Sequence, residues 1–156
     1  MDIIVKTFAE LTTSDLYEIF KARFAVFVME QRCFYLDMDD IDYDAIHIFC
    51  KEGNEVIAYA RLFPDRLAPE FEVPRSKDAN AWHIGRLMTR KRGIGLGRTI
   101  IEKVISTAHE QGATLLRMEA QTHAIGLYEK FGFKVISCPF DDAGIEHVEM
   151  EKRLFN

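Results

Sequence analysis

The sequence predicts an α/β fold of the α+β kind, with helices laid against a mixed sheet, and three features predict it. β-rich and helical runs interleave along the chain, and the longest helical run follows a glycine-rich loop. Hydrophobic residues make up 48% of the 156 residues and charged ones 29%, a balance that excludes disordered and fibrous classes. That length can bury a core without metal or disulfide support, and no linker or repeat divides it, so a single domain over 1–156 is expected.

Taken in order, residues 3 to 8, IIVKTF, suit a first strand. Ser14 or Asp15 can cap a helix over about 15 to 29, with Glu18 in its first turn and Leu16, Ile19, Phe20, Phe24 and Phe27 on one face. AIHIFC and EVIAYARLF, joined by KEGN, read as a hairpin. Pro64 to Ala81 is a long loop rich in proline and charge. WHIGRLMT is a strand leading into the glycines, and a helix with Ile100, Ile101, Val104, Ile105 and Ala108 inward runs to a C-terminal glycine, Gly112. LLRMEAQ, HAIGLYEKF, FKVIS and EHVEMEKRL follow as strand, short helix, strand and strand.

A net charge of −5 argues against a nucleic-acid partner, whose phosphates demand basic surface. No run of 18 apolar residues offers a membrane span, and the first residues, MDIIVKTFAE, lack a signal-like apolar stretch, so a cytoplasmic location is expected. Cys33, Cys50 and Cys138 have neither the number nor the spacing of a disulfide framework or a zinc site, so no metal is expected. The basic exception is Arg86, Arg90, Lys91, Arg92 and Arg98, gathered around the glycines, which suits a small polyanionic ligand.

Gly93, Gly95 and Gly97 alternate just before the helix. Glycines there let backbone N–H groups converge on one point, and the helix adds the positive end of its dipole. Such a place binds phosphate. A Walker loop fails because Arg92 and Arg98 stand where glycine and lysine are required. A dinucleotide fingerprint fails at Arg98 as well.

What remains, Arg92-Gly93-Ile94-Gly95-Leu96-Gly97, resembles the R/Q-x-x-G-x-G/A pyrophosphate loop of the GNAT N-acetyltransferase superfamily. QTHAIGLYEKFGF, with Gln121, Ala124, Tyr128, Gly132 and Phe133, is similar to that superfamily's N-x-x-A-x-x-x-Y-x-x-x-G-F segment, with Gln121 in place of asparagine. Residues 23 to 47, AYARLF, IGRLM and DDAGIEHVEM extend the resemblance to the ElaA-like subfamily over nearly the whole chain.

The resemblance implies the GNAT acyl-CoA N-acyltransferase fold, about seven strands with flanking helices. It implies acetyl-CoA as cosubstrate, with pantetheine along the backbone of Leu87, Met88 and Thr89 and the pyrophosphate on the amides from Arg92 to Arg98. It also implies transfer to a primary amine by direct attack, with Tyr128 protonating the departing sulfur. A homodimer stays open, as does a non-catalytic acyl-CoA-sensing module in place of an enzyme.

The proton acceptor is not singled out. Glu30 and His47 are the first candidates, with Glu119 and His147 on predicted strands beside them, and ordered water as an alternative. The five aspartates of DMDDIDYD, residues 37 to 44, fail the EF-hand pattern and read either as a solvated acidic loop or as an electrostatic lure for a cationic amine. Cys33 reads as a packing residue, since no Cys–His pairing is visible near it.

Overall fold

The computed structural model describes residues 2–155. Eight strands form one sheet: β1 (Ile3–Thr7), β2 (Ile46–Glu52), β3 (Glu55–Pro64), β4 (Ala81–Thr89), β5 (Leu115–Gln121), β6 (Lys134–Val135), β7 (Phe140–Asp142) and β8 (Ile145–Arg153). Their order is β1-β2-β3-β4-β5-β8-β6, with β7 also paired to β8. Only β4 and β5 run parallel. The connection between them carries the long helix α2 (Leu96–Glu110), as a parallel crossover demands. The short hairpin strand β7 is additional to the strands read from sequence; three residues carry too little pattern to announce it.

Alternation along β3 divides the core between two faces. Ala58, Ala60 and Leu62 meet Ile100, Ile101 and Val104 of α2 on one side. Val56 and Tyr59 meet Ile19, Ala22 and Phe27 on the other. There the first helix, α1 (Thr13–Arg23), gives way to a π-helical stretch, Phe24–Glu30, where an uninterrupted α-helix to residue 29 was expected. The wider turn closes with the N–H of Gln31 donating to the carbonyl of Val26 at 2.9 Å. The α1 cap is Thr12, one turn earlier than expected: its hydroxyl accepts from the Asp15 N–H at 3.0 Å while the Asp15 carboxylate accepts from the Thr12 N–H at 3.1 Å.

The aspartate-rich segment is solvated only in part: Asp40 and Asp44 are exposed, while Asp37 and Asp42 are buried. Arg23, fully buried, donates to Asp37 at 2.9 Å and Asp42 at 2.7 Å. Arg61 grips Asp39 with two nitrogens, at 2.7 and 2.6 Å, and Arg86 donates to Asp37 at 2.9 Å. Asp37, Asp39 and Asp42 are thus bound by arginines in a web that pins the segment to β3, β4 and α1.

Candidate active site

β4 and β5 pair only from Ala81 with Leu115 to Ile84 with Met118. Beyond that point they part. The cause lies in β4: Ala60 of β3 is opposed by two residues, Arg86 and Leu87, and Arg86 takes a left-handed φ of +52°. This bulge turns the end of β4 away from β5. Gly85 at its start packs closely: a Cβ there would lie 3.1 Å from the Phe63 ring and 3.2 Å from Arg61 Nε, so either side chain would have to shift by a few tenths of an ångström.

The parted strands open a cleft of about 930 Å³. Leu87, Met88 and Thr89 line it from β4, Gln121 from β5, Tyr128 from the short helix α3 (Ile125–Glu129), and Glu30 from the end of the π-helix. Arg92 and Gly97 line its other end. Gly93, Ile94, Gly95, Leu96 and Arg98 form the loop and first turn beside it. Gly93 and Gly95 hold φ of +81° and +76°, a conformation that strains a side chain and favours glycine; Gly97 has no such backbone demand and presents an open surface to the cleft. The first amides of α2, those of Leu96, Gly97 and Arg98, have no carbonyl partner one turn back, which leaves a helix N-terminus facing the cleft.

Around this frame the side chains are held in place. Arg92 donates to Glu30 at 2.5 Å at the exposed mouth, and Arg98 stacks over Phe131. Gln121 donates to Gln31 Oε1 at 3.0 Å, which couples β5 to the π-helix. Tyr128 is buried against Phe133, and burial pushes its phenol up to about 12.

His47 is not part of the cleft. It is 1% exposed, its Nε2–H donates to the carbonyl of Asp42, and its Nδ1 accepts from the Tyr59 hydroxyl. Burial lowers its pKa and keeps it neutral. It is a structural residue that fixes the end of the aspartate segment. Glu119 and His147 do line the cleft, together with Cys33, Asp142 and His83.

His83 belongs to a buried polar cluster that the sequence did not disclose. Its Nδ1–H donates to Asp65 at 2.8 Å and its Nε2–H to Glu119 at 2.5 Å. Burial disfavours a charged ring, but Glu119 and Asp65 outweigh it and raise His83 to about 9. Glu149 stands opposite Glu119 on β8, with Arg75 donating to it at 2.7 Å and to Asp65 at 3.0 Å. The alternation of strand residues could have put Glu119 and Glu149 on defined faces. It could not show that β5 and β8 are neighbours.

A sheet split over a glycine-capped helix, with a buried phenol in the gap, is the arrangement that the resemblance to acyl-CoA-dependent acyltransferases implies, and the comparisons with known proteins agree. Residues 13–154 match the family described as Acetyltransferase (GNAT) domain, and the chain belongs to that family. Within it the protein is ElaA-like. It is similar to Protein ElaA of Escherichia coli (30% identity, covering 94% of this chain and 92% of that one) and to a UPF0039 protein of Synechocystis (36%, covering 92% and 89%). The crystal structure of E. coli ElaA superposes with a TM-score of 0.83 at 29% identity, covering 97% of this chain and 99% of that one. An acyl-CoA N-acyltransferase from Pseudomonas aeruginosa superposes with 0.84 at 26% identity and the same coverage. The chain is therefore an enzyme of acyl transfer. Among the described residues no helix is long and apolar enough to cross a membrane.

Proposed function

We propose that this protein transfers an acetyl group from acetyl-CoA to a primary amine by direct attack. The observation that carries the reading is the parting of β4 and β5 after Ile84 and Met118, with the α2 N-terminus at one end of the gap and Tyr128 in its wall. Leu87, Met88 and Thr89 offer backbone to the pantetheine arm. The amides from Arg92 to Arg98 receive the pyrophosphate, with the dipole of α2 and the guanidinium of Arg92 behind them.

The amine nitrogen attacks the thioester carbon, the carbonyl oxygen is polarised by backbone N–H at the end of β4, and the C–S bond breaks. Tyr128 supplies a proton to the leaving thiolate, since its raised pKa keeps the phenol protonated at every physiological pH. Glu119 takes the proton lost by the amine. Its Oε1 is buried at the cleft with no hydrogen-bond partner, the one acceptor atom there without an assigned bond on this carboxylate. Glu30 instead orients Arg92, and His47 acts only through the fold.

Calorimetric titration with acetyl-CoA tests the donor site, on wild type and on Gly95→Val, whose side chain conflicts with φ of +76°. Binding that the substitution abolishes in a folded protein supports the assignment. A folded wild type that binds no acetyl-CoA sinks it. Release of CoA in the presence of pooled primary amines then tests transfer.

A further inference from the structure

The cluster of His83, Glu119 and Glu149 has a composition that proton transfer alone does not explain. One ligand atom from each of the three lies within 4.8 Å of the others. Glu149 is fully buried, and its Oε2 has no hydrogen-bond partner; neither has Glu119 Oε1. Two orphaned carboxylate oxygens in one buried cluster are costly unless something positive stands between them. Once the proton between His83 Nε2 and Glu119 is displaced, Asp65, Glu119 and Glu149 carry three negative charges and Arg75 one positive, which leaves two negative charges for a divalent cation to balance.

The surrounding groups are arranged as they are around metal ligands. A ligating histidine gives its other ring N–H to a carboxylate, and His83 gives Nδ1–H to Asp65. A ligating carboxylate is held by a further hydrogen bond, and Arg75 holds Glu149. We propose that His83 Nε2, Glu119 and Glu149 form a divalent transition-metal site of the zinc type, open to solvent on the cleft side. One imidazole and two carboxylates suit zinc, with a fourth position for water. On binding, the cation replaces the proton between His83 Nε2 and Glu119, and that proton leaves to solvent. Because the cation and the amine proton both draw on Glu119, zinc and the acceptor compete.

The test is direct binding by the full chain, and it does not depend on acetyl transfer. Calorimetric titration of metal-free protein with zinc chloride should show one site. Glu149→Gln and His83→Gln should each weaken it by roughly tenfold or more, and Asp65→Asn by about tenfold through the orienting bond. Cys33→Ser and Cys138→Ser should leave it unchanged. Should the cluster variants not fold, cobalt(II) bound to wild type should give visible d–d absorption without a thiolate charge-transfer band. No zinc binding by folded wild type, affinity unaltered in the folded cluster variants, a thiolate band, or equal affinity for magnesium would each overturn the site. If acetyl-CoA binding fails while zinc binding holds, the donor assignment falls and the metal site stands.

Discussion

Tyr128, the proposed acid, is a side chain whose burial bears directly on its protonation. Replacement by phenylalanine keeps the packing against Phe133 and removes only the acid, so kcat should fall by about 10²-fold or more with the KM for acetyl-CoA little changed. Its raised value also means that the wild-type rate should show no alkaline loss owed to Tyr128 until the pH approaches about 12. Stopped-assay kinetics across pH check both. Glu119→Gln should likewise lower kcat by about 10²-fold, because an amide cannot take the amine proton. At Arg23 the expectation concerns stability. Arg23→Met takes one of two guanidinium partners from each of the buried carboxylates Asp37 and Asp42, which keep Arg86 and Arg61, and should cost about 1–3 kcal/mol in urea denaturation. Of these residues Tyr128 was legible in the sequence through its place in a spaced motif, and Glu119 only as one of several candidate proton acceptors. His83 and Arg23 were not, because nothing local distinguishes a buried charged residue from a solvated one; burial is decided by what folds over it.

At the scale of elements, the glycine loop and α2 were legible because their signals are local: φ above zero favours glycine, and an apolar stripe at helical spacing favours a helix. The first helix was misjudged at both ends. Thr12 and Asp15 share the cap, which a reading of Ser14 or Asp15 alone missed, and the switch to wide turns at Phe24 leaves no mark in an apolar run. The cap yields a pH prediction. Burial would raise the Asp15 carboxyl, but Lys51, Lys6 and the Thr12 N–H outweigh it and hold the group well below the usual carboxylate range. Since the folded value lies below the unfolded one of about 3.9, its contribution is complete above that pH and is lost as the pH falls toward the folded value. Asp15→Asn should therefore destabilise the protein by about 1–3 kcal/mol at neutral pH, with the gap to wild type closing below about pH 4. Urea midpoints measured at a series of pH values give the answer.

For the molecule as a whole, fold class could be read from the order of strands and helices, while the cleft could not. Its walls come from α2, α3, the π-helix and five strands far apart in sequence, and its opening depends on one bulged residue, Arg86. The aspartates of residues 37–44 illustrate the same limit. Their number is plain in the sequence, yet the arginines that bind three of them sit at positions 23, 61 and 86. The parting of β4 and β5 also has a consequence for exchange of backbone hydrogens with solvent. From Ala81 to Ile84 the amides belong to a closed ladder and should exchange slowly, whatever is bound. Beyond Ile84 and Met118, the amides that point into the gap have no strand to bond, so they exchange fast in the free enzyme. Those same amides should slow when acetyl-CoA enters, leaving a footprint of the donor on one edge of each strand.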